Sequence, residues 1–139
     1  MTLIGFFNDY RNFVGTCTAS SGGGCTIGEQ FSGGRVHAKG IEFTAFYDAG
    51  GVLGDGFSMP LGVIYTYTHA TFRESLASFG PWGDNVARGD LLPNLPQHVL
   101  TVNAGIGRGG WRLDLTGNYT SEAFGATGAG AMSDPFVRV

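Results

Sequence analysis

Between Gln97 and Ser121 the chain reads QHVLTVNAGIGRGGWRLDLTGNYTS, with apolar residues recurring at every second position. Trp111, Leu113, Leu115 and Tyr119 are odd-numbered, and Arg112, Asp114, Thr116, Asn118 and Thr120 take the even positions between them. A helix would scatter such a set around its circumference, whereas a strand sorts it onto two faces. Leu100, Val102, Ala104 and Ile106 alternate in the same way with Val99, Thr101, Asn103 and Gly105, and Gly107-Arg108-Gly109-Gly110 supplies a tight turn between the runs. This is a two-faced β-hairpin, and what its apolar face meets decides the fold.

Composition narrows the choice. Only 14% of the 139 residues are charged, Lys occurs once, at Lys39, and 25 residues are Gly. A soluble domain carries about a quarter charged residues, so this chain has too few to coat a water-facing surface. Mean hydropathy near zero does not argue against a membrane, because the two faces of a transmembrane barrel average out. No run approaches the roughly 20 apolar residues of a spanning helix. The N-terminal MTLIGFFNDY lacks the basic start, apolar run and small-residue cleavage site of an export signal. A net charge of −3 with scattered acidic residues argues against nucleic acid as a partner.

Along the chain, Leu3–Phe13 has strand composition, with adjacent Phe6 and Phe7 leaving its facing open. A loop of Gly, Ser and Thr spans Val14–Gly34 and contains both cysteines, Cys17 and Cys25, which are expected to form a local disulfide in an oxidising compartment. Arg35–Asp48 alternates from Gly40 onward, with Ile41, Phe43, Ala45 and Tyr47 opposed to Glu42 and Thr44; Phe46 breaks the polar face. The glycine-punctuated Ala49–Gly56 reads as a turn. Met59–Phe72 places Leu61, Val63, Tyr65 and Tyr67 on one face. A second long loop, Arg73–Pro96, leads into the hairpin, a third covers Glu122–Pro135, and FVRV at Phe136–Val139 begins another strand.

Connections therefore run long, short, long, short, long. In an up-and-down antiparallel meander this puts every long loop on one side, the asymmetry of bacterial outer-membrane barrels. The expected fold is all-β: about five strands and the start of a sixth, too few to close a barrel of at least about eight strands. Open edges in lipid leave backbone groups unpaired at several kcal/mol each. Residues 1–139 are accordingly read as part of a larger transmembrane barrel, without a plug domain.

With the strands in place, four ordered segments resemble the barrel of TonB-dependent outer-membrane receptors, particularly the ferric dicitrate (FecA-like) group. They are FFNDYRNFVG at Phe6–Gly15, EQFSGGRVHAKGIEFTAFYD at Glu29–Asp48, IYTYTHATFR at Ile64–Arg73 and GDLLPNLPQHVLTVNAG at Gly89–Gly105. The resemblance implies the C-terminal part of a barrel of about 22 strands closed around a plug. It further implies a bacterial outer-membrane location among lipid and lipopolysaccharide, and uptake of a ferric chelate such as iron(III) dicitrate or a siderophore, powered through TonB. An adhesin or autotransporter pore is the alternative from another class, and a soluble ligand-binding barrel a third.

Chemistry-bearing residues give little support to catalysis. His37, His69 and His98 lie near the loop-proximal ends of three strands, but parity puts each on the apolar face, where interfacial roles are expected in place of metal ligation. Gly105, Gly107 and Gly110 fit G-x-G-x-x-G in a strand-turn-strand setting that a dinucleotide site does not use. Asn118-Tyr119-Thr120 matches a glycosylation acceptor, yet Asn118 is expected on the inner face. Glu42, Arg112, Asp114 and Asn118 are expected to face the lumen. Arg35, Arg73 and Arg88 are loop candidates for an anionic chelate, since guanidinium suits carboxylate. No nucleophilic triad or metal-spaced cluster is visible, and neither catalytic residues nor a cofactor are expected.

Overall fold

In the computed structural model, residues 1–17, 26–77, 85–125 and 132–139 are described. In chain order the elements are β1 (Thr2–Tyr10), β2 (Val14–Thr16), β3 (Gln30–Ser32), β4 (Val36–Asp48), the helical turn α1 (Gly50–Leu53), β5 (Phe57–Ser58) and β6 (Pro60–Phe72). There follow β7 (Leu76–Ala77), β8 (Asn85–Val86), β9 (His98–Arg108), β10 (Trp111–Thr120), β11 (Ala123–Phe124), β12 (Met132–Ser133) and β13 (Phe136–Arg138). The main sheet runs β1-β4-β6-β9-β10-β13, antiparallel throughout, each strand beside its predecessor in the meander.

Register decides the faces, because residues opposite one another in an antiparallel ladder point to the same side. Leu3, Phe43, Tyr65, Leu100 and Tyr119 form one continuous row across five strands. Val63 stands opposite both Ala45 and Val102, and Ala104 opposite Leu61 and Leu115. The alternations read separately from each strand thus merge into a single apolar face. On it Leu3, Phe7, Ile41, Tyr47, Trp111, Leu113 and Leu115 are all exposed, a contiguous patch far larger than scattered surface leucines explain.

The same register resolves the first strand. Phe6 pairs with Gly40 and lies on the polar face, whereas Phe7 pairs with Lys39 on the apolar one. A Cβ at Gly40 would collide with the Phe6 ring and the Tyr67 carbonyl. Phe46 uses the same device: it pairs with Gly62, and a Cβ there would stand 2.8 Å from its ring. Phe6 and Phe46 thus each cover a glycine on the next strand, a side-chain lid over a bare backbone.

The connections are more structured than loops. Val14–Gly34 contains the β2/β3 ladder, the second connection contains β7/β8, and the third contains β11/β12. The expected turn at Ala49–Gly56 contains α1, and β5, which follows it, pairs with Gly107 and Arg108 of β9. Those two residues remain in strand, so the hairpin turn shrinks to Gly109-Gly110, with Gly109 at φ +61°, as a two-residue hairpin loop requires.

At the long-connection end β6 outruns β9. Its last residues are paired instead by the descending segment before β9: the Thr68 N–H donates to the Gln97 carbonyl, Leu92 to Ala70, and Phe72 to Asp90. Beneath this segment Val36, Ala70, Phe72 and Val86 form a small buried core, flanked by Phe13, Ala38, Leu76, Leu92 and Leu95. Val36, Ala38, Ala70 and Phe72 share the polar face, so the second connection folds inward over that side of the sheet.

Candidate functional site

The polar face carries a ladder of side-chain pairs built directly on the β9/β10 register. Thr101 Oγ1 donates to Asn118 Oδ1 at 2.9 Å, and Thr116 Oγ1 donates to Asn103 Oδ1 at 2.9 Å. Both pairs are directly opposed. One step nearer the turn, Arg112 Nε donates to both Asp114 oxygens at 2.9 and 2.7 Å, two residues apart on one strand and therefore on one side. Gly105 opposite leaves room for the Asp114 carboxylate. Glu42 lies on this face too, between Ile4 and Thr66. Glu42, Arg112, Asp114 and Asn118, the residues expected to face the lumen, lie on one face of the sheet.

At the short-turn end the face opens into a cleft of about 520 Å³, lined by Phe46, Asp48, Pro60, Asn103, Arg112 and Asp114. Asp48 organises it. Its Oδ1 accepts from the Gly50 and Met59 backbone N–H groups, each at 2.8 Å, and Oδ2 accepts from Ser58 Oγ at 3.2 Å. The carboxylate thereby ties both ends of the β4–β6 connection together. Sequence reasoning passed over Asp48, although an Asp two residues before a turn glycine is an Asx-turn signal.

Hydrogen bonds of the backbone bring the arginine candidates into one neighbourhood. Arg35 is held by Asp9, donating from Nε to Oδ1 at 2.8 Å and from a terminal nitrogen to Oδ2. That hydrogen bond and the adjacent negative charge raise the pKa of its guanidinium above the ordinary value. Asp9 pairs with His37, so this cluster sits on the apolar face. The Arg73 backbone N–H donates to the Arg35 carbonyl, and that of Arg88 to Ser75 Oγ. Cys17 is buried, and no free cysteine is found among the described residues; Cys25 lies outside them.

The histidines each have a separate local setting. His37 Nε2 lies 3.2 Å from Asp9 Oδ1, with Phe7 edge-on at 5.1 Å. His69 Nδ1 is 3.5 Å from Gln97 Nε2. His98 Nδ1 is hydrogen-bonded to the Tyr65 hydroxyl at 2.8 Å and packs against Tyr67.

An antiparallel meander with one apolar and one polar face, and its long connections all at one end, is a section of a transmembrane outer-membrane β-barrel wall. The chain belongs to the TonB dependent receptor-like, beta-barrel family, which it matches over residues 1–139. That family comprises outer-membrane transport receptors and not enzymes. Neither a curated protein nor a solved structure matches the chain.

Proposed function

We propose that this chain is barrel wall of a receptor that takes up a ferric chelate, of the ferric dicitrate or siderophore type, with energy delivered through TonB. The observation that carries the reading is the continuous register: one exposed apolar face runs across β1, β4, β6, β9 and β10, with the Thr101–Asn118 and Asn103–Thr116 pairs behind it. The apolar face meets membrane lipid and lipopolysaccharide. Glu42, Arg112, Asp114 and Asn118 face the lumen, where water or a plug domain satisfies them. The short turn at Gly109-Gly110 is periplasmic, and the long connections are extracellular.

Family membership favours this reading over the adhesin or autotransporter pore. Among the arginine candidates, Arg73 and Arg88 are better placed than Arg35 for an anionic chelate, because Arg35 is already held by Asp9. Cys17 pairs with Cys25 across the first connection, and non-reduced peptide mapping of protein from an oxidising compartment tests it; two alkylatable thiols would refute the pairing.

The test of function is uptake. The full-length gene, expressed in an iron-starved strain lacking its own chelate receptors, should restore growth on ferric dicitrate or one siderophore, and only with TonB present. Failure with a broad chelate panel, in cells where the receptor is folded in the outer membrane, would overturn the iron assignment.

A further inference from the structure

The apolar face does not stay apolar to its rim. Along β4 it presents Tyr47, Ala45, Phe43 and Ile41, and then changes to Lys39 and His37, with Arg35 just beyond the strand. Lys39 is the only lysine in the chain. The rows just below it hold aromatics: Tyr65 opposite Phe43 and in line with Tyr119, then Tyr67 opposite Ile41 and beside His98. Phe7 and His69 flank Lys39 itself.

Depth fits a headgroup layer. Tyr47 and Lys39 are eight residues apart, about 27 Å along a strand, or about 20 Å along the membrane normal at a tilt near 40°. With Tyr47 and Trp111 marking the short-turn edge of an apolar band about 25 Å tall, Lys39 reaches the opposite edge. Its aliphatic stem can lie along apolar surface while the ammonium extends to the interface.

The charge is positive and partly unspent. Arg11 and Arg35 share one carboxylate, Asp9, which lies 3.7 Å from Arg11 and is tightly bound to Arg35. Glu74 acts on Arg35 at longer range. Lys39 has no ion-pair partner among the described residues, and Arg11 is exposed.

The geometry points to this cationic rim, from Lys39 outward to Arg11 and Arg35, as a binding site for the phosphates of an anionic lipid headgroup in the outer leaflet. Lys39 and Arg11 meet phosphate, Arg35 held by Asp9 forms the fixed flank, and Phe7 and Tyr67 pack acyl chain below. The assignment rests on the reading that the apolar face meets lipid. An aromatic row followed by a cationic row is what an acyl-to-phosphate boundary selects.

The test uses full-length receptor, delipidated in non-ionic detergent and titrated by native mass spectrometry with doubly phosphorylated lipid A, the same lipid without phosphates, and inorganic phosphate. The phosphorylated lipid should bind and the other two should not at matched concentration. Lys39→Gln and Arg11→Gln should each weaken binding about fivefold, and the pair more than about twentyfold. Lys39→Arg should bind like wild type, which separates charge from folding. Arg108→Gln removes a cation at the other rim and should leave binding unchanged. Equal binding by wild type and the double variant, or by lipid without phosphates, overturns the site; equal binding of inorganic phosphate reassigns it to a soluble anion and overturns the lipid. Heat-modifiable migration and chelate uptake by the same preparations report on the barrel and transport readings separately.

Discussion

At the rim with the long connections, Phe72 and Val36 lie sealed beneath the descending segment with Val86 and Leu92 packed on them, whereas at the opposite rim one exposed carboxylate, Asp48, gathers two backbone N–H groups and a hydroxyl. The first rim is held by burial and should fail when volume is removed. The second is held by hydrogen bonds and permissive glycines, and should respond to changes of donor, acceptor or backbone. A barrel wall needs both: its middle is fastened by ladders alone, and each end must stop cleanly.

The rim held by burial is most vulnerable at Phe72, which is 0% exposed. Phe72→Ala should destabilise the full-length barrel by about 3–5 kcal/mol, read as a lower urea midpoint for unfolding in detergent. An unchanged midpoint would mean that the small core contributes nothing. At the other rim, Asp48→Ala strands the Gly50 and Met59 N–H groups. Hydrogen exchange should accelerate at those amides while the middle of β4 and β6 stays protected; uniform protection would show that water replaces the carboxylate.

A smaller change is expected at the hairpin. Gly109→Ala forces a side chain into φ +61°, costing about 1–2 kcal/mol and read in the same urea titration, whereas Gly110→Ala should cost less. Smallest of all, Phe46→Ala uncovers Gly62 but removes a ring that is already 65% exposed, and should shift stability by less than about 1 kcal/mol. A loss as large as that from Phe72→Ala would erase the distinction between the rims.

Long strands were legible because each one repeats its pattern enough times to declare a face. Ile41 through Tyr47, Leu61 through Tyr67 and Trp111 through Tyr119 identified their apolar sides independently, and the ladder joined them without a slip. The facing of β1 was not legible, because Phe6 and Phe7 are both large and the deciding partner, Gly40, is 34 positions from Phe6. Phe46 looked like a defect for the same reason: Gly62 explains it only once register is known. The ladders inside the long connections are two or three residues long, too short for any period to show. At the candidate sites, Glu42, Arg112, Asp114 and Asn118 lie on one side of the sheet, as shared parity along each strand requires. Parity could not foresee that Asp9, 26 residues away, engages Arg35, since local sequence does not report pairings between strands.

The segment descending beside the top of β6 has a mechanical consequence. It is laced to β6 through Thr68, Ala70 and Phe72, and its Asn94 N–H is tied sideways to the Phe124 carbonyl of the third connection at 2.7 Å. Swinging it away from the wall would unzip those bonds together and wet the Phe72 ring. This stave of the rim is therefore stiff, its resistance cooperative, and an opening or closing of the mouth here has to hinge on either side of it.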